Sequence, residues 1–238
     1  MKRFVAAVLL PLTGLLIPCR GFGDGVSIDK VYDPYVQALE RELELRTLVQ
    51  SSTGIREQGR QRYKLGYGQA LSDVFFVELY TTTVDLAGES PEQEAVELEL
   101  KWQLTEQGQY QNDWGFLFEL EREHGENIWE ARHTLLLQHD WRRWSGLINA
   151  SLIYEWGGGV DNEVETALAA QMKYRQGPSL EPAVELHWSQ DTRALGPALL
   201  GSLRLGGRKK LLWSAALLAG MNDTTADINA NFSLEFEF

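Results

Sequence analysis

The segment from Ala226 to Phe238 alternates strictly between apolar and polar residues. One face would carry Ile228, Ala230, Phe232, Leu234, Phe236 and Phe238. The residues between them are Asp, Asn, Ser or Glu. Because successive side chains of a strand point to opposite faces, this pattern predicts a β-strand with one apolar and one polar face.

The same alternation recurs along the chain. Its clearest examples are Val96–Leu104, Trp114–Leu120, Thr166–Tyr174 and Pro182–Trp188. Less regular candidates are 40–50, 60–71, 74–84, 128–138, 144–156, 195–205 and 211–220. Together with the C-terminal segment they predict about twelve strands, which suits an all-β fold.

Turn-forming residues separate these strands and leave no obvious domain boundary. They include Leu71-Ser72-Asp73, the run 122–127, the glycines 157–159, Gln176-Gly177-Pro178-Ser179 and Gly206-Gly207-Arg208. With 24% charged residues and a mean hydropathy of −0.27, the chain does not resemble a helical membrane protein. We therefore expect a single β domain over residues 34–238.

The N-terminus has the layout of a secretory signal peptide. Lys2 and Arg3 precede an apolar run, Phe4 to Ile17, that is too short to span a membrane as a helix. We predict a signal peptide at 1–23, cleaved near Gly21 to Gly23, and a short periplasmic lead-in at 24–33. The only cysteine, Cys19, would leave with the leader; Pro18 before it fits a lipoprotein signal poorly.

The leader, the alternating strands and the terminal aromatic strand together resemble bacterial outer-membrane β-barrel proteins. The resemblance identifies a class and no particular family. It implies an antiparallel, up-and-down transmembrane barrel of about twelve strands in the cell outer membrane. It also implies that the insertion machinery reads the last strand, through Phe232, Leu234, Phe236 and Phe238.

Large aromatic residues lie near the predicted strand ends. If both termini are periplasmic, Trp102, Trp114, Trp141, Trp144, Tyr174 and Trp213 fall near the periplasmic ends. Trp129, Tyr154, Trp156 and Trp188 fall near the outer ends. Two aromatic girdles at the membrane interfaces would produce this distribution. Tryptophan and tyrosine also favour half-buried strand ends in soluble β proteins.

The polar faces are rich in acids. The full chain has 22 Lys plus Arg against 34 Asp plus Glu, and loss of Lys2, Arg3 and Arg20 would leave 19 against 34, a net charge of −15. Nucleic acid is therefore not an expected partner. The residues expected to line the lumen and set its selectivity are Glu97, Glu99, Glu119, Glu121, Glu181 and Glu185, opposed by Arg62, Lys64 and Lys101.

An acidic lumen predicts a narrow channel for passive, cation-leaning passage of small solutes. A non-conducting structural barrel and a soluble periplasmic β domain remain alternatives. His187 and Ser189 share a strand face and resemble the His-x-Ser arrangement of outer-membrane lipid hydrolases, although Trp188 rather than His187 would face lipid. No cofactor is expected, and the four histidines have no metal-ligand spacing.

Overall fold

The computed structural model describes residues 28–51, 59–86 and 90–238. The predicted signal peptide lies outside the described residues, as do the first four residues of the lead-in. Twelve strands account for most of the rest: β1 Arg41–Ser51, β2 Gln61–Ala70, β3 Phe75–Asp85, β4 Glu92–Gln103, β5 Asn112–Glu123, β6 Ile128–Trp141, β7 Trp144–Gly157, β8 Glu163–Tyr174, β9 Glu181–Trp188, β10 Arg193–Gly206, β11 Lys209–Gly220 and β12 Ile228–Glu237.

The strands form one closed barrel in which each pairs antiparallel with its neighbours in sequence. The barrel closes where β1 pairs with β12, with Leu43 opposite Phe236 and Leu45 opposite Leu234. Closure leaves no unpaired strand edge, which is what a sheet in lipid requires. The predicted all-β, antiparallel barrel is confirmed. In the described residues, no helix is long and apolar enough to cross a membrane.

Apolar side chains cover the outside of the barrel and charged side chains fill its interior, the reverse of the arrangement in a soluble protein. Outward-facing Leu65, Leu79 and Val164 are 55%, 56% and 58% exposed. Inward-facing Glu44 and Glu99 are 1% and 0% exposed. Because a strand has two faces, the apolar outer surface leaves the polar positions of the sequence to fill the interior.

Small residues in β2 make room for large inward side chains of β3. A Cβ on Gly66 would collide with the Tyr80 ring, and one on Gly68 would lie 2.6 Å from Phe76 Cε1. Tyr80 and Phe76 are 1% and 2% exposed. The two glycines therefore let β3 side chains lie across β2 toward β1.

Aromatic residues gather at both ends of the barrel. We call the end with Arg41 and Glu237 the terminal end and the other the distal end. At the terminal end, Phe75 stacks on Trp102 and Trp144 packs edge-on against Tyr174. Trp114 and Trp213 lie a few residues inside the same end, and Phe238 stacks on Phe236. At the distal end, Trp156 stacks on Trp129 and Tyr154, and Trp188 ends β9.

We expect Gly66→Ala to destabilise the barrel by about 1–3 kcal/mol, because the new methyl group overlaps the Tyr80 ring. The midpoint of urea unfolding, followed by loss of heat-modifiable migration on gels, measures the change. Gly177→Ala is the matched control, since an added Cβ there meets nothing within 4 Å. Equal midpoints for both variants would contradict the packing of Tyr80 over β2.

Candidate functional site

Residues 28–40, here called the lumen segment, run from the interior of the barrel to its terminal end, where 37–39 are exposed. Ile28 packs in a buried cluster with Leu48, Ala194 and Leu218 toward the distal end. At the other end of the segment, Gln37 Oε1 accepts a hydrogen bond from Lys210 Nζ at 3.0 Å. The part of the predicted lead-in that is described, 28–33, thus lies inside the barrel and packs against its wall.

Two consecutive charges of the lumen segment are held by wall residues of opposite charge. Arg46 Nη1 donates to both carboxylate oxygens of Asp29, at 3.2 and 3.1 Å, and Lys64 Nζ lies 3.3 Å from Asp29 Oδ2. Lys30 Nζ donates to Glu44 Oε1 at 3.0 Å and to Glu235 Oε2 at 2.7 Å. Charge-assisted hydrogen bonds of this kind are the stronger ones in proteins.

Tyr32 fixes the middle of the segment through backbone and side chain. Its N–H donates to Asn149 Oδ1 at 2.7 Å, and Asn149 Nδ2 donates to its carbonyl at 2.9 Å. Its hydroxyl donates to Glu99 at 2.9 Å and accepts from Arg46 at 2.6 Å. The ring packs with Leu117 and Leu136 in a second buried cluster. Tyr32 therefore bridges opposite sides of the wall.

Nearer the terminal end the segment stays in contact with β4 and β5. Pro34 lies over Gly115, where an added Cβ would be 2.9 Å from the Pro34 Cβ. The Tyr35 hydroxyl donates to Asp113 Oδ2 and the Val36 N–H to Gln103 Oε1, both at 2.7 Å. These contacts continue the interior packing to the terminal end.

Arg46 and Glu44 form the centre of the charged wall. Arg46 Nη2 donates to Glu44 Oε2 at 2.8 Å, and the Tyr80 hydroxyl donates to the same oxygen at 2.7 Å. Tyr80 also approaches Glu78 closely. The Arg46 guanidinium lies 4.7 Å from the Tyr80 ring centroid, a cation–π distance. Tyr80, which lies over Gly66, therefore fixes the pair in place.

Electrostatics match this geometry. Burial alone would raise the pKa of Asp29, but Arg46 and Lys64 outweigh burial and lower it. Burial would lower the pKa of Lys30, but Glu235 and Glu44 raise it well above the usual range. The Asp29 contacts therefore stabilise the segment fully above pH 3.8, the unperturbed value, and their contribution is lost as the pH falls below it.

Three groups of carboxylates have ligand atoms within 4.8 Å of one another. They are Glu42, Glu44 and Glu78; Glu97, Glu99 and Glu119; and Glu40, Glu235 and Glu237. Each group has a cationic neighbour within 3.2 Å, namely Lys30, Lys64 or Lys210. At the terminal end, burial and the Glu237 carboxylate raise the pKa of Glu40 to about 7.

The lumen residues expected from the sequence all have inward positions, and most of them form ion pairs or hydrogen bonds with other side chains. Lys64 Nζ pairs with Glu97 at 2.7 Å and Glu99 at 3.2 Å. Glu119 contacts Thr134, Glu121 lies 3.9 Å from Arg62, and Lys101 lies over the Phe76 ring. Glu181 pairs with Lys173 and Glu185 accepts from Gln171. The structure therefore brings Lys64, Glu97 and Glu99 together, places Arg62 beside Glu121, and leaves Glu181 and Glu185 apart from both groups.

Strand register creates a feature that the sequence analysis missed. Five inward glutamates lie side by side on five consecutive strands, because Glu97 pairs with Glu121, Glu121 with Glu130, Glu130 with Glu155 and Glu155 with Glu163. We call these five the glutamate row. It crosses β4–β8 in the distal half of the wall. Like charges directly opposite one another are unfavourable unless counter-charges compensate them.

A cavity of about 70 Å³ lies beside the lumen segment in the same half of the barrel. Asp29, Arg46 and Lys64 line one side, and Glu121 and Glu130 of the glutamate row line the other. Since a water molecule needs roughly 10–15 Å³ by this measure, the cavity has room for about five.

His187 and Ser189 do not form a hydrogen-bonded pair in this structure. His187 is inward and 1% exposed, and neither ring nitrogen has a hydrogen-bond partner among the described residues. Its Nε2 lies 3.7 Å from Glu185 Oε2. Ser189 Oγ accepts a bond from the Thr192 N–H, which closes the β9–β10 turn.

Comparisons with solved structures agree on the fold. The chain is similar to an outer-membrane channel from Pseudomonas putida F1, with 13% identity over 89% of this chain and 100% of that one and a TM-score of 0.60. It is also similar to the KdgM porin in complex with disordered oligogalacturonate, with 9% identity over 83% of this chain and 98% of that one and a TM-score of 0.55.

A third similar structure is the translocator domain of the autotransporter NalP from Neisseria meningitidis, with 10% identity over 87% of this chain and 90% of that one and a TM-score of 0.56. No protein-family model and no curated protein sequence matches the chain. The chain therefore has the fold of bacterial outer-membrane β-barrel proteins, and no particular family is identified.

We expect Asn149→Ala to speed amide hydrogen exchange at Tyr32 by on the order of tenfold, because it removes both hydrogen bonds between Asn149 and the Tyr32 backbone. NMR of the protein in detergent micelles measures the rate. Asn231→Ala is the control, since the Asn231 side chain contacts the segment at the Asp29 carbonyl, at 3.4 Å, and not at Tyr32 among the described residues. Equal rates in the two variants would contradict the placement of Tyr32.

Proposed function

We propose that the chain is an outer-membrane channel for small solutes whose lumen is closed by its own lumen segment. The observation that carries this proposal is the charged interior, which surrounds a single strip of polypeptide held largely by polar contacts. A barrel stabilised only as a scaffold has no need of so many buried charges, because burying charge is costly unless it is paired. The similarity to channels and porins supports the same proposal at the level of fold.

The proposed channel would be exported and inserted into the outer membrane. The leader at residues 1–23 would direct export, and cleavage would leave a chain that begins near residue 24. The insertion machinery would read the outward side chains Phe232, Leu234 and Phe236 together with Phe238. The apolar outer surface would then contact the bilayer, with aromatic residues at both interfaces.

We assign cation preference to the glutamate row rather than to the whole predicted set. Lys64 compensates Glu97, and Arg132 Nη2 lies 3.1 Å from Glu130. The distal halves of β7 and β8 add three inward glutamates, at 155, 163 and 165. This local excess of negative charge would concentrate cations at the distal opening.

A non-conducting barrel is the second candidate. Leu117, Leu136, Ala194 and Leu218 are all 0% exposed. The interior is therefore packed in two layers around Ile28 and Tyr32. In this conformation the lumen segment fills the interior at both clusters, through Ile28 and Tyr32. The channel proposal consequently requires that the lumen segment move.

Replacing Glu130, Glu155 and Glu163 together with glutamine is expected to lower the cation-to-anion permeability ratio by at least about twofold, because three charges leave the distal opening. Reversal potentials in planar bilayers under a salt gradient measure the ratio. The matched control replaces the exposed acids Asp73, Glu106 and Asp223 with their amides, an equal change in charge. An unchanged permeability ratio in the first variant would contradict the assignment of cation preference to the glutamate row.

Removing both charged anchors with Asp29→Ala plus Lys30→Ala is expected to raise the mean bilayer current at least about tenfold, because the segment loses its ion pairs with four wall residues. The control is the equally charge-neutral Asp73→Ala plus Lys209→Ala, at two exposed positions outside the lumen segment. A correctly folded anchor variant that stays silent would favour the non-conducting barrel.

A further inference from the structure

The lumen segment presents a carboxylate and an ammonium group side by side to the wall. Asp29 and Lys30 are consecutive, and each is bound by two wall side chains. The wall thus has an anion site next to a cation site. A molecule that replaces the segment at both sites must therefore carry one negative and one positive group.

The anion site is built from buried side chains. Arg46 is 4% exposed and reaches both oxygens of the carboxylate through one nitrogen. Lys64, 9% exposed, adds a second positive charge at 3.3 Å. Two cations around one carboxylate favour an anion over a neutral group.

The cation site is equally well defined. Glu44 is 1% exposed and Glu235 is 8% exposed, and the two strands that carry them, β1 and β12, are paired with these residues directly opposite. Their oxygens lie 3.0 and 2.7 Å from Lys30 Nζ. An ammonium group has three donors, so it can satisfy both carboxylates at once.

The two sites are joined through the Arg46–Glu44 pair. The 2.8 Å contact between Arg46 Nη2 and Glu44 Oε2 keeps the two sites adjacent. The Tyr80 hydroxyl donates a hydrogen bond to the same Glu44 oxygen. None of these contacts involves the lumen segment. These contacts can remain when the segment is displaced, so a flexible molecule that carries both a carboxylate and an ammonium group can contact the two sites at once.

The cavity beside the segment borders the anion site, because Asp29, Arg46 and Lys64 line it together with Glu121 and Glu130 of the distal half. The proposed side of entry is therefore the distal side. A small solute entering from that side meets the anion site first, before it reaches Glu44 and Glu235. It also passes the glutamate row, which attracts its ammonium group.

We propose that the Arg46–Lys64 and Glu44–Glu235 sites bind a small zwitterion, such as an amino acid or short peptide, in place of the Asp29 and Lys30 side chains. This inference rests on the proposed channel and names its solute class. The lumen segment then acts as an internal competitor for the site. Binding of the zwitterion is tighter when Asp29 and Lys30 are replaced.

Equilibrium dialysis of radiolabelled glycylglycine tests the site. The protein is the full chain carrying Asp29→Ala and Lys30→Ala, in detergent, with heat-modifiable migration as the check of folding. The comparison ligands are N-acetylglycylglycine, which has only the carboxylate, and glycylglycinamide, which has only the ammonium group. We expect each to bind at least about tenfold more weakly than glycylglycine, because each loses one set of charge-assisted hydrogen bonds.

A wall variant provides the internal control. Glu235→Gln in the same background is expected to reduce the preference for glycylglycine over its acetylated form to less than about twofold, since it weakens the cation site alone. Equal binding of the three ligands, or binding of none, would overturn the inference. Because dialysis does not depend on conductance, a silent barrel that prefers the zwitterion would contradict only the channel, and a conducting barrel without this preference would contradict only the zwitterion site.

Discussion

The two-residue period of the β-strand is the constraint from which the rest of this molecule follows. With Leu65, Leu79 and their equivalents turned outward, the alternate positions must face the interior of the barrel. In this chain those positions carry glutamate, arginine, lysine and tyrosine. A closed sheet satisfies its backbone hydrogen bonds internally and so leaves the side chains of the lumen as the principal electrostatic problem.

The lumen segment neutralises part of the charge on the lumen wall. Arg46 is almost fully buried, and its charge is balanced by Glu44 from the wall and by Asp29 from the segment. Lys30 in turn supplies the cation that lies between Glu44 and Glu235. Buried ion pairs of this kind are costly to break when one partner is removed but add little net stability when both are solvated. If water fills the lumen as the segment leaves, the wall charges become hydrated, which makes release of the segment feasible.

Much of the fold could be predicted because alternation is a local signal. The strand around Val96–Leu104 and the C-terminal strand follow directly from it, and β4 and β12 cover all but the end residues of these segments. The position of residues 28–33 could not be predicted in this way, because a short polar stretch carries no periodicity. Its partners, such as Asn149 and Glu235, are more than 100 residues away in the chain.

The glutamate row could not be predicted either, because it depends on contacts between distant parts of the chain. The inward direction of Glu97 and Glu121 could be inferred from each strand alone, whereas their alignment with Glu130, Glu155 and Glu163 depends on the register of five strands. Register is set by turns and packing between neighbours, which a single sequence does not specify. The sequence therefore predicted an acidic lumen without indicating where the charges meet.

A cysteine cross-link tests most directly whether the segment lies in the lumen. In a Cys19→Ser background, Pro34→Cys and Gly115→Cys place two thiols where an added Cβ at Gly115 would be 2.9 Å from that of Pro34, close enough for bonding after a small adjustment. We expect a disulfide to form in the vesicle-embedded protein when diamide is added to oxidise the two thiols. A Pro34→Cys and Gly177→Cys pair serves as the control, because position 177 lies in an open turn. Failure of the first pair to cross-link, or equal cross-linking of both, would contradict the account.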